Sequence, residues 1–277
     1  MQLPDLPEEV GKLRLLAESA FSPATRIQVT GQMELPPETS KFGGLPFTPE
    51  EFKWPVNPAG RLMEFIGQIN FAEVVSQAPS FSEVLPSHGI FQFFYDLEEL
   101  VWGFDPNHQN FWRFIWHPSP HSLRSIPCRE GGSSSQRVHA ISFQEKVTLP
   151  DIWTLLPTLE SRSVYTDEEI DAYQDFIGQE DIKHQLLGHS WNIQDDPRYE
   201  AQLVSNGVYC GDPSFKDDPR TPALLERVND WQLLWQIDSD DSLDVMWGDC
   251  GMLYIMVKRE ALRAGDLSAP WLGLQCF

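Results

Sequence analysis

Two stretches of the chain carry the same order of apolar and polar positions. The first runs Phe65-Ile66-Gly67-Gln68-Ile69-Asn70, then a spacer, then Gly89-Ile90-Phe91-Gln92-Phe93-Phe94-Tyr95 and on to Glu98 and Leu100. The second runs Leu233-Leu234-Trp235-Gln236-Ile237-Asp238, a shorter spacer, then Gly251-Met252-Leu253-Tyr254-Ile255-Met256-Val257 and on to Glu260 and Leu262. The glycine, the apolar run, the glutamate and the leucine keep their separations in both. Short apolar runs bounded by glycine and polar residues read as buried strands. The pattern therefore predicts a strand-loop-strand-helix unit written twice.

Elsewhere the periodicity is local. Pro7, Glu8 and Glu9 before Val10, Leu13, Leu16 and Ala17 predict a surface helix with a proline and acids in its first turn. Arg26 to Thr30 alternates and predicts a half-buried strand, as do Phe111 to Trp116 and Val138 to Phe143. Between Lys41 and Pro55, Gly43-Gly44 frees the backbone while prolines stiffen it, which predicts a defined loop locked by Phe47 and Trp54 or used for binding. Thr166-Asp167-Glu168-Glu169 is a capping box, so a helix begins at Asp167 with Ile170, Tyr173 and Ile177 on one face. Asp195-Asp196-Pro197-Arg198 recurs as Asp217-Asp218-Pro219-Arg220, which reads as turn or cap chemistry. Trp271 to Phe277 closes the chain as a strand. The fold class is α+β: a duplicated, sheet-rich, pseudo-symmetric core with peripheral helices. A single body over 1–277 is expected, with lobes over approximately 24–149 and 150–277 and a short N-terminal helix before them.

Charge narrows the partners. The 277 residues carry 41 Asp and Glu against 20 Lys and Arg, a net charge of −21, and such a field repels the phosphates of nucleic acid and of anionic membranes. No apolar run approaches the roughly 20 residues that span a bilayer. Cys128, Cys210, Cys250 and Cys276 form no CxxC pair, so they are expected reduced and mostly buried. The opening Met1-Gln2-Leu3-Pro4-Asp5 lacks a secretory pattern, which makes the cytoplasm the expected compartment.

Several constellations suggest chemistry. Asp238, Asp240, Asp241, Asp244 and Asp249 crowd one loop, and clustered carboxylates can replace the hydration shell of Ca²⁺ or Mg²⁺. However, Leu243 stands where an EF-hand has its turn glycine and Asp249 where it has its glutamate, so a solvated acidic loop is the competing reading. His117-Pro118-Ser119-Pro120-His121 with Cys128 has histidine spacing suited to zinc, but its prolines exclude a helix that would align the rings. No GxSxG elbow, P-loop, GxGxxG or HExxH is present, and no cofactor is evident. Gln68 and Gln236 occupy matching positions in the two copies. Either they clamp one central ligand, or each bonds loop backbone in its own lobe, as buried amides must. His88 and Cys250 both precede the matched glycine, so the copies differ chemically at one point.

Taken together, Ser40-Lys41-Phe42-Gly43-Gly44-Leu45-Pro46, Phe65-Ile66-Gly67-Gln68-Ile69, Leu85-Pro86-Ser87-His88-Gly89, His184-Gln185-Leu186-Leu187-Gly188, Trp231 to Asp240 and Trp247-Gly248-Asp249-Cys250-Gly251 resemble the YwqG-like family of bacterial proteins. The resemblance covers roughly Ala24 to Phe277. It departs at Cys250, where the family has a small residue. It implies a duplicated α+β fold and a cytoplasmic bacterial protein, and it carries over no activity or site. Two functions are expected from the residues. One is an acidic binding or regulatory protein, immunity-like, that engages a basic protein or peptide partner. The other is a small-molecule or metal-dependent hydrolase with a site between the lobes, using Asp238, Asp240, Asp249 and His88.

Overall fold

A computed structural model describes residues 5–32, 34–120, 123–125, 137–179 and 182–277. In the first half it contains α1 (Leu13–Ser19), β1 (Ser22–Gln32), β2 (Lys41–Phe42), β3 (Phe47–Pro49), β4 (Glu64–Asn70), α2 (Phe71–Gln77), β5 (Ile90–Tyr95), β6 (Trp112–His117), β7 (Leu123–Ser125) and β8 (His139–Thr148). After the crossing at Leu149-Pro150 follow α3 (Ile152–Leu155), α4 (Leu159–Arg162), α5 (Asp167–Ile177), β9 (Gln185–Leu187), α6 (Pro197–Val204), α7 (Thr221–Leu225), β10 (Trp231–Asp238), β11 (Met252–Lys258), α8 (Arg259–Arg263) and β12 (Trp271–Gln275).

Ten strands form one antiparallel sheet in the order β12-β11-β10-β9-β1-β8-β2-β4-β5-β6. β1 lies between β9 and β8, so the sheet runs unbroken through both halves of the chain. It curls until its edges meet. Trp112 on β6 stands edge-on to Trp271 on β12 at 5.2 Å, and the Leu274 amide donates to the Trp102 carbonyl at 2.9 Å. The approach of the two outer strands, with the loop before β6 bonded to β12, leaves the sheet nearly closed.

The two hairpins share one register. Phe65 pairs with Phe94, a bulge follows at Ile66, and Gly67 then pairs with Phe93. At the matching positions Leu233 pairs with Met256, a bulge follows at Leu234, and Trp235 pairs with Ile255. Inside the curl the halves are complementary rather than alike. Trp235 is fully buried, stacks on Phe42 at 5.6 Å and meets Phe93 edge-on. Its counterpart Gly67 leaves the room it needs, since a Cβ there would stand 3.2 Å from the Trp235 ring. β5 and the first six residues of β11 are buried throughout, as the continuous apolar runs require of strands covered on both faces.

Smaller clusters hold the periphery. Val10, Leu13 and Ala17 pack with Ile152, Leu156 and Tyr173, which docks the N-terminal helix on α3 and α5. The capping box forms as expected, and Glu169 additionally accepts the Lys12 amide at 2.7 Å. The proline-rich loop is locked by Trp54, whose indole donates to the Met63 carbonyl at 2.7 Å. One expected element differs. After β5 the chain makes a turn where α8 follows β11. Asp96 accepts the Glu98 and Glu99 amides and is gripped by Arg61 at 3.0 Å, so this side chain competes with the helix for the backbone donors. Among the described cysteines only Cys276 is buried. Cys210 is intermediate, and Cys250 is exposed because it turns the chain into β11 with a φ of 48°.

Candidate functional site

Gln68 and Gln236 are fully buried within the sheet. The Gln68 oxygen accepts the Phe47 amide at 3.0 Å and the Gln92 amide group at 3.2 Å; its nitrogen donates to the Pro37 and Thr39 carbonyls at 2.8 and 2.9 Å. Two donors and two acceptor positions are thereby all used. Gln236 repeats the arrangement, accepting the Trp191 amide at 2.9 Å and donating to the Lys183 carbonyl at 2.7 Å. Each glutamine ties a loop of its own half to its strand. His88 and Asp249 are exposed on separate turns. The His88 ring meets the Ser87 hydroxyl at 3.0 Å, while the Asp249 carbonyl accepts the terminal Phe277 amide at 3.2 Å.

The acidic loop spends its carboxylates on the chain. Asp238 accepts the Lys183 amide at 2.8 Å, and burial pushes its proton affinity up. Asp240 caps a short turn through the Ser242 amide at 2.7 Å and accepts from the His184 Nε2 at 3.2 Å. The His184 bond holds the Asp240 pKa down to about 2. Because the His184 Nδ1 accepts the Asp238 amide at 2.9 Å, its Nε2 carries the ring proton. Asp241 and Asp244 are exposed, and Asp244 closes the turn with a φ of 57°. Among the described residues no three His, Cys, Asp or Glu side chains gather to hold a metal ion. The zinc expectation depends on His121 and Cys128, which, like Gly131-Gly132-Ser133-Ser134-Ser135, lie outside the described residues.

A concavity of about 770 Å³ is lined by His184, Asp240 and Ser242 beside the acidic loop, and two further ones lie where α6 and α8 flank the ends of β9, β10 and β11. One cavity of about 310 Å³ adjoins another of about 800 Å³, and Asp151, Thr154, Asn192, Asp196 and Arg198 line both. Local sequence rules build the junction. Asp196 caps α6 through the Arg198 amide at 3.0 Å, with Pro197 in the first turn. The same carboxylate holds the Arg198 guanidinium, Nε to Oδ2, at 2.9 Å. Asp151 caps α3 and accepts the Asn192 side chain at 2.6 Å.

Arg259 and Arg263 line only the smaller cavity and stand one turn apart on α8. Both are exposed. Arg259 donates to two neutral acceptors, the Asn229 carbonyl at 2.9 Å and the Gln232 side chain at 2.8 Å. Its hold on its proton is weakened by burial first and then by Arg198 and Arg263. His189 lines the same cavity and donates from Nε2 to the Ala20 carbonyl at 2.7 Å, while burial lowers its pKa and keeps it neutral at pH 7.

The larger cavity is walled by acids and aromatics, among them Asp195, Glu200, Tyr199 and Phe215. The Glu200 Oε1 is buried without a hydrogen-bond partner among the described residues. Burial, and then Asp195, push the Glu200 carboxyl up to about 8, so it holds its proton at neutral pH. Cys210, also in the wall, is pushed up to about 12 by burial and by Glu200, which removes it as a thiolate nucleophile.

These basic and acidic walls were not singled out by the sequence reading. The available signal was the spacing of Arg259 and Arg263, two cations one turn apart in a chain with 20 in all. The repeated Asp-Asp-Pro-Arg tetrapeptide does form the turn chemistry expected of it: Asp218 grips Arg220 at 2.7 Å and accepts its amide at 2.9 Å, as Asp196 does for Arg198. Among the described residues no helix is long and apolar enough to cross a membrane. No curated protein matches the chain. A family profile does match, over residues 40–276, and the chain therefore belongs to the family described as a domain of unknown function, DUF1963.

Proposed function

We propose that the protein binds a small anionic molecule in the cavity walled by Arg198, Arg259 and Arg263. One observation carries this reading. Among the described residues neither Arg259 nor Arg263 is held in an ion pair, although Glu83, Asp151 and Asp196 line the same cavity, in a chain whose net charge is −21. Guanidinium groups make charge-assisted bonds to carboxylate and phosphate, each contributing roughly 1.5–3 kcal/mol. The acidic surroundings repel polyanions and so favour a compact ligand. Hydrolysis at His88, Asp238, Asp240 and Asp249 would draw on groups spread over separate turns, so binding is favoured over turnover.

The test is a thermal-shift and calorimetric titration with inorganic phosphate, sulfate and succinate at millimolar concentration. At least one anion is expected to raise Tm, and R259Q/R263Q is expected to weaken it about tenfold or more, the loss of one charge-assisted bond. Unchanged melting with all three anions, or equal binding by the variant, overturns the reading.

A second reading is favoured by the charge itself: the acidic remainder of the surface engages a basic protein or peptide, in a regulatory or immunity-like role. We take the protein for a cytoplasmic member of the bacterial YwqG-like proteins whose two halves descend from one duplicated unit. The shared bulge, register and glutamine bonds support that descent.

A further inference from the structure

The paired cavities are polarised along their length. Arg259 and Arg263 line only the smaller one, and Asp195 and Glu200 only the larger one. The Arg198–Asp196 pair, internally neutral, sits where they join, together with Asp151, which is bonded to the α3 amides and Asn192. Two opposite charges, Glu83 in the first wall and Lys216 in the second, are exposed, and Lys216 lies over the Phe215 ring. Glu200 is the unusual member. A carboxyl oxygen buried without a partner costs stability, and such groups are commonly retained where a ligand completes them.

Resting on the anion reading above, we infer that the two cavities form one two-ended site for an amphoteric molecule. Its phosphate or carboxylate is held at Arg259 and Arg263, and its ammonium group at Glu200. The ammonium replaces the proton that Glu200 holds when the site is empty; that proton passes to solvent and the carboxylate pairs with the amine. Tyr199 also lines the ammonium end, and an aromatic ring there favours a cation, while the Phe215 ring is already covered by Lys216.

The experiment is calorimetry with ω-aminoalkyl phosphates of two to eight carbons beside the matching alkyl phosphates. At least one amine-bearing member is expected to bind about tenfold tighter than its amine-free partner. That gain should vanish in Glu200→Gln while alkyl phosphate affinity stays within about twofold, since an amide cannot form the charge-assisted pair. In the unsubstituted protein the gain should increase from pH 6.5 to pH 8.5 as Glu200 ionises, a readout that a purely structural glutamate would not move and that does not depend on the variant folding. Alkyl phosphates that bind with no gain from the amine, or a gain that persists in Glu200→Gln, overturn the two-ended site and leave the anion reading standing. If neither series binds, and inorganic phosphate fails as well, the anion reading falls and takes this inference with it.

Discussion

Replacing Glu200 by glutamine should flatten the dependence of stability on pH. In the unfolded chain this carboxyl ionises near its ordinary value of 4.5, whereas in the fold it keeps its proton up to about 8. Between those values the unfolded state binds fewer protons, so stability falls as pH rises from 4.5 to 8 and levels off above. Each pH unit of that window contributes about 1.4 kcal/mol, which bounds the total at roughly 5 kcal/mol. Glu200 is only partly enclosed as a residue, although its Oε1 is buried. Solvent near the rest of the side chain reduces the effect to roughly 2–4 kcal/mol. Urea unfolding of the wild-type protein and E200Q at pH 5 and pH 8.5 reads this directly, because all other titrating groups are common to both. The wild type should lose roughly 2–4 kcal/mol more than the variant between the two pH values. Parallel pH profiles would mean that Glu200 ionises normally in the fold, and the argument for a proton-holding carboxyl would be wrong.

Gly67→Ala puts a Cβ 2.7 Å from the Lys41 carbonyl and 3.2 Å from the Trp235 ring. It should cost roughly 1–3 kcal/mol in urea unfolding, the usual penalty for overpacking a rigid core; an unchanged midpoint would show that the halves have slack where Trp235 inserts. Gln236→Leu removes the acceptor of the Trp191 amide and a donor to the Lys183 carbonyl. It should destabilise by roughly 1–3 kcal/mol, the cost of losing two hydrogen bonds at half-buried backbone groups, while phosphate affinity at Arg259 stays within about twofold. A stable Gln236→Leu protein that no longer binds ligand would instead make this glutamine a site residue.

The local elements were legible because their signals are local. The capping box at Thr166 forms with both of its reciprocal bonds, since Thr and Glu three positions apart satisfy neighbouring donors wherever a helix begins. The paired apolar runs became β4, β5, β10 and β11, and the closing run became β12. The turn after β5 was missed because Arg61, distant in sequence, fixes Asp96 there. Gln68 and Gln236 were conspicuous in the sequence as matched polar positions among apolar neighbours, yet the same matching results when two strands each need a loop tied down.

The sequence by itself determined the apolar periodicities, the caps, the acidic balance and the matched motifs, all properties of residues near one another along the chain. Tertiary structure alone decided that Trp235 fills the space above Gly67, that β1 lies between β9 and β8, and that Arg198, Arg259 and Arg263 share a wall near Glu200. Such juxtapositions follow from how the sheet curls and which helices cover it. Charge proximity, burial and a carboxyl's hold on its proton depend on distance in space, which spacing along the chain does not encode.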